Sequence, residues 1–122
     1  MTWDEYNAYC ASLTATTFVE QWGGSQVWKV GGKVFAVAST ADGRPAYTFK
    51  TSWESFEILC ELPGVRPAPY LASRGMSWVQ HYAEPGLSDD DLRHYLSCSH
   101  RRVAGGLAKK TQRALGLLAE DG

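Results

Sequence analysis

Between His94 and His100 the chain gathers imidazole, thiol and hydroxyl groups within two helical turns. His94 and Cys98 stand four apart, the spacing that puts two side chains on one face of a helix. Imidazole and thiolate together suit a soft divalent ion, but a zinc site takes three or four protein ligands. His100 lies two beyond Cys98, nearly opposite on a helix, and no second pair with ligand spacing occurs. The pair therefore reads as a surface His beside a small apolar Cys, and neither a metal nor a cofactor is expected. Ser97-Cys98-Ser99-His100 resembles a catalytic relay only on paper, because adjacent helical residues point about 100° apart. Ser99, on the apolar stripe, is expected to pack or to bond back to a carbonyl. There is no G-x-S-x-G elbow. The pairs Gly23-Gly24, Gly31-Gly32 and Gly105-Gly106 match neither phosphate-loop pattern. No catalytic residue is assigned, and the chain reads as a non-enzyme with no evident small-molecule substrate.

Cationic side chains are the remaining candidates. Arg101-Arg102 lies on the last long helix, and Lys109-Lys110 with Arg113 follows it. Lys29 and Lys33 sit beside a predicted hairpin turn, and Arg74 sits at the tip of another. Basic hairpin tips next to a basic helix end could straddle phosphates, with an exposed Trp or Tyr stacking on a base. The same residues also fit an ordinary solvated surface. The formal net charge is -1 and the pI about 6.3, so a nucleic-acid site would have to be a local patch offset by acids elsewhere.

The elements that must position these groups are legible from periodicity and caps. Thr2 and Glu5 form a T-x-x-E capping box at the start of a helix over 2–13, with Trp3, Tyr6, Tyr9, Cys10 and Leu13 as its apolar stripe. A short strand over 17–22 follows. Then comes the segment the chain is built around, 27–37, where two alternating β-branched and aromatic runs flank Gly31-Gly32 as a hairpin. Asp42-Gly43 marks a turn and 46–50 a returning strand. Ser52 caps a helix over 53–62, stopped by Pro63-Gly64. A Pro-rich connector over 65–69 leads to a strand pair over 70–73 and 76–82. Ser88, followed by Asp89, Asp90 and Asp91, starts the last long helix. A further short helix is expected near 109–113. This order predicts an α+β domain: a single antiparallel sheet with helices on one face and the other face open.

With 122 residues, 44% of them hydrophobic and 20% charged, the chain fits one domain over 1–122, with 114–122 as a frayed tail. Cys10, Cys60 and Cys98 are odd in number and widely spaced, which suits a reducing cytosol rather than a disulfide framework. No apolar run approaches a membrane span and no basic, apolar leader opens the chain, so a cytoplasmic protein is expected.

Several segments then match in order: Trp28-Lys29-Val30-Gly31-Gly32-Lys33-Val34-Phe35-Ala36, Pro67-Ala68-Pro69-Tyr70-Leu71, 75–79 with Trp78, Leu87-Ser88 through Leu92, Ser99-His100-Arg101-Arg102-Val103, and Lys109-Lys110. In these the chain resembles the MmcQ/YjbR family of small bacterial proteins. The V-G-G-K-x-F run is the most specific match. The resemblance implies a CyaY-like or secretion-chaperone-like fold and a non-enzymatic, double-wing DNA-binding protein. On that implication Lys29 and Lys33 contact phosphate from one wing and Arg74 from the other. Arg101, Arg102, Lys109 and Lys110 add charge at the last helix. Two positions depart from the family pattern: His100, where an aromatic residue is common, and Ala108, where Pro is common. The alternative is a protein-interaction module of chaperone-like type, using the open sheet face with Trp22, Trp28 or Trp78 as anchors. An iron-binding role of the CyaY kind ranks below both, since the first helix carries only Asp4 and Glu5.

Overall fold

Thr2 sets where the first helix begins. Its hydroxyl accepts the Glu5 N–H, and the Glu5 carboxylate accepts the Thr2 N–H in return, so two otherwise idle donors are satisfied. Helix α1 (Trp3–Ser12) follows, then the meander β1 (Thr16–Gln21), β2 (Ser25–Val30), β3 (Lys33–Ala41) and β4 (Arg44–Lys50). The remaining elements are α2 (Trp53–Leu59), β5 (Val65–Pro67), β6 (Trp78–His81), α3 (Asp89–Gly105) and α4 (Lys109–Ala114). The structure is a computed structural model that describes residues 1–72 and 75–118. Among the described residues six strands make one sheet in the order β1-β2-β3-β4-β6-β5, every neighbour antiparallel. This is the expected α+β class. Among the described residues no helix is long and apolar enough to cross a membrane.

Helices α1, α2 and α3 cover one face of the sheet. Tyr6, Cys10, Leu59, Leu92 and Leu96 pack there against Trp28, Phe35, Ala36, Tyr47, Phe49 and Val79 in a single core. Aromatic pairs tie the layers together, Tyr6 with Tyr47 at 5.4 Å and Phe49 stacked on Tyr95 at 5.8 Å. The frames set by Ser52 and Ser88 hold as expected, each hydroxyl accepting the N–H three residues on.

Residues 70–72 of the strand predicted over 70–73 form a turn instead, and Ser73 lies outside the described residues. Tyr70 takes a φ of 69°, and the Ala72 N–H turns back to the Ala68 carbonyl. The outermost strand is instead Val65–Pro67, inside the segment that reads as a connector. Pro67 is tolerated because β5 is an edge strand, so its missing N–H costs no ladder bond. The strand predicted over 76–82 is the shorter β6, and the helix predicted to 62 closes at Leu59 with turns beyond it.

One irregularity organises the middle of the sheet. Trp28 stands opposite Ala36 and Lys29 opposite Val34, which makes Phe35 the extra residue of a bulge. Ser99, fully buried on α3, serves the backbone groups this leaves. Its hydroxyl donates to the Phe35 carbonyl at 2.6 Å and accepts the Lys50 N–H at 2.9 Å. Ser99 does bond a carbonyl, but across the fold rather than along its own helix. That pins α3 to β3 and β4 at one point.

Candidate nucleic-acid interface

Strand register sorts the charges by end. Val30 lies opposite Thr16 and Lys33, while Phe49 lies opposite Ala36 and Val79. The β2–β3 turn, the last residue of β4 and the first of β6 therefore share one end of the sheet. Helix α3 runs toward that end, from Asp89 beside the Met1 amine to Ser99 beside Lys50. Its second half carries Arg101 and Arg102, both exposed. Leu107, just past α3, lies against the β2–β3 turn: a Cβ on Gly31 would stand 2.5 Å from its Cδ1. Gly31 is required twice over, because its φ is also 56°. Helix α4, with Lys109 and Lys110 in its first turn, starts two residues later and is thereby set beside the hairpin that carries Lys29 and Lys33.

Six of the seven cations expected at the site thus lie at one end: Lys29, Lys33, Arg101, Arg102, Lys109 and Lys110. Arg74 lies outside the described residues. Many of the carboxylates gather at the other end, while Glu54 and Glu57 lie on α2, which starts just past Lys50. Asp4 and Glu5 open α1, Asp42 tips the β3–β4 turn, Glu84 follows β6, and Asp89, Asp90 and Asp91 open α3. The described ion pairs, Met1–Asp89 at 2.9 Å and Arg93–Asp90 at 3.0 Å, both belong to this acidic end. None of the six cations has a carboxylate partner among the described residues.

A residue that sequence reasoning missed completes the basic end. Lys50 closes β4 and shares with Arg101 and Arg102 an open groove of about 600 Å³, also lined by Ser55, Tyr95 and Cys98. Lys50 is half-buried, its amide held by Ser99. Only the register of β4 beneath α3 brings it to residues some fifty positions away in the chain.

The chemistry suspected between His94 and His100 resolves into separate roles. His94 Nε2 and Cys98 Sγ do meet, at 3.5 Å, and Arg101 Nη2 donates to the same sulfur at 3.5 Å. Among the described residues no group of three or more His, Cys, Asp or Glu could hold a metal ion. His100 points the other way, into the core, edge-on to Phe35 at 5.2 Å. Its Nε2 lies 2.7 Å from the Thr14 carbonyl, which can only accept, so that nitrogen carries the proton. His100 fills the aromatic position of the family pattern as a packing and anchoring residue. Burial pushes the Cys10 thiol up to about 12 and raises that of Cys60 as well.

The tryptophans named as sheet-face anchors are mostly unavailable. Trp28 is 8% exposed, faces the helices and donates its indole N–H to Asn7. Trp78 is 6% exposed. Trp22 is 65% exposed, but it sits at the β1–β2 turn rather than on the face.

Comparison with known proteins fits this architecture. The YjbR family model matches residues 11–102. The uncharacterized protein YbdF of Escherichia coli O157:H7 is 27% identical over 88 residues, covering 71% of this chain and 70% of YbdF. The crystal structure of Deinococcus radiodurans protein DR2400, with its DUF419 domain, aligns with a TM-score of 0.82 at 20% identity, over 96% of this chain and 89% of that one. A Pseudomonas syringae protein aligns with a TM-score of 0.68 at 14% identity, over 84% and 99% of the two chains. At such identities the two structures establish the fold. The match over the greater part of the sequence establishes the kinship: the chain belongs to the YjbR family.

Proposed function

We propose that this is a non-enzymatic, cytoplasmic DNA-binding protein whose basic end grips the phosphate backbone. One observation carries the reading: cations spread along the sequence converge on one end of the fold without carboxylate partners. An ion pair already satisfied inside a protein offers little to a ligand. An unpaired cation releases counterions when it meets a phosphate. Three free thiols fit a reducing compartment. The sheet-face docking alternative has less support, since two of its three tryptophan anchors are buried.

Gel-shift titration of a duplex at low ionic strength tests the reading. A retarded complex is expected at low salt and should be lost as salt is raised. No complex at the lowest salt would end the proposal.

A further inference from the structure

We propose that the groove between α3 and the β4–α2 connection seats a single phosphate group, with Lys50, Arg101 and Arg102 as its cationic contacts. The inference rests on the DNA-binding reading for the source of that phosphate, a backbone phosphodiester. The chemistry it assigns to the groove is that of any phosphate ester. Lys50, Arg101 and Arg102, from two different elements, line one space of about 600 Å³, and no carboxylate is among the lining residues. Glu54, the nearest acid in the chain, is not part of the wall.

The groove is a built feature rather than a chance of flexible side chains. Ser99 fixes the Lys50 backbone to α3, and the Tyr95 ring is stacked on Phe49. Arg101 reaches back to Cys98. The hydroxyls of Ser55 and Tyr95 have no hydrogen-bond partner among the described residues and can donate to phosphate oxygens. The exposed cations of the β2–β3 turn and α4 act as a diffuse field. Lys50, between strand and helix, sets one phosphate in register.

Cys98 lies in the groove wall and reports directly on occupancy. In a Cys60→Ser background, with Cys10 shut in the core, its reaction with a dianionic aromatic disulfide reagent is followed against added inorganic pyrophosphate, and separately against a short DNA duplex. Both additions are expected to slow the reaction saturably, by about tenfold, and Lys50→Glu is expected to abolish the protection. Lys50→Gln, with unfolding temperature checked, serves if the reversal fails to fold. Protection by pyrophosphate but not by DNA keeps the phosphate seat and moves its source to a phosphorylated small molecule, against the nucleic-acid reading. Absence of protection by either addition, or protection undiminished by both Lys50 variants, overturns the groove. A gel shift that survives in those same variants would then leave DNA binding standing without it.

Discussion

The two ends of this molecule use charge in opposite ways. At the acidic end the fold employs its carboxylates. Glu5 completes a capping box, Asp89 holds the chain's amino terminus, Asp90 pairs with Arg93, and all three aspartates suit the positive end of α3. Those charges are structural, and two of them show it. The carboxyls of Glu5 and Asp89 are held below the ordinary carboxylate range, Glu5 by its bonds to Thr2 and Asp89 by the amino terminus. At the basic end no carboxylate partners Lys29, Lys33, Lys50, Arg101 or Arg102 among the described residues. A near-zero net charge conceals this division, since each end cancels the other in the sum. Charge used to fold the chain and charge left for a partner are separated by the length of the sheet.

The largest effect should come from breaking the basic end. Reversing Arg101, Arg102, Lys109 and Lys110 to Glu together is expected to weaken duplex binding by about a thousandfold or more at low salt. The unfolding temperature should change little, because no intramolecular ion pair is lost and carboxylates disfavoured at the end of α3 are offset by carboxylates favoured at the start of α4. Reversal that leaves binding intact in a gel shift would remove the distinction between the ends.

Next is the joint that holds the basic end together. Ser99→Ala leaves the Phe35 carbonyl and the Lys50 N–H without their shared buried partner, at a cost of about 1–3 kcal/mol in urea unfolding. DNA affinity should fall with it, since Lys50 loses its anchor. A neutral result would mean that Ser99 is mere packing.

At the acidic end the same kind of loss should be purely structural. Thr2→Ala removes the α1 cap and should cost about 1 kcal/mol of stability with duplex binding unchanged. A drop in DNA affinity at constant folded fraction would contradict the assignment of roles.

The smallest effect is a pH dependence confined to the acidic end. Burial lowers the basicity of His81, whose Nδ1 must stay neutral to accept the Leu87 N–H at 3.1 Å. As pH falls below about 6.5 the unfolded chain takes up a proton that the folded one resists, so stability declines. Glu5 and Asp89 act in a lower window: their contribution is present above about pH 4 and is lost as they protonate below it. Melting temperatures across this range should show both windows, and His81→Gln should flatten only the upper one.

Much of this was legible in the sequence because the signals were local. The capping box at Thr2, the caps at Ser52 and Ser88 and the Gly-Gly hairpin each rest on residues within a few positions of one another. The failures were non-local. Val65–Pro67 looks like a connector because two prolines flank it, and only the free edge of β6 makes it a strand. The apolar run beginning at Tyr70 has strand composition, yet it forms a turn. The Phe35 bulge leaves no trace in the alternation. A lysine ending a strand stands out only once the register and Ser99 set its backbone beside α3, near Arg101 and Arg102. The basic residues are legible along the chain, but their grouping at one end of the sheet is a property of topology.

The most direct test is the salt dependence of duplex affinity, by fluorescence anisotropy, in the wild-type chain and in the double variant Lys109→Gln/Lys110→Gln. A linear fall of log affinity with log salt is expected, with the slope reduced by about 0.9 for each phosphate contact removed. Affinity that does not change with salt, or a slope the double variant shares with the wild type, would contradict it.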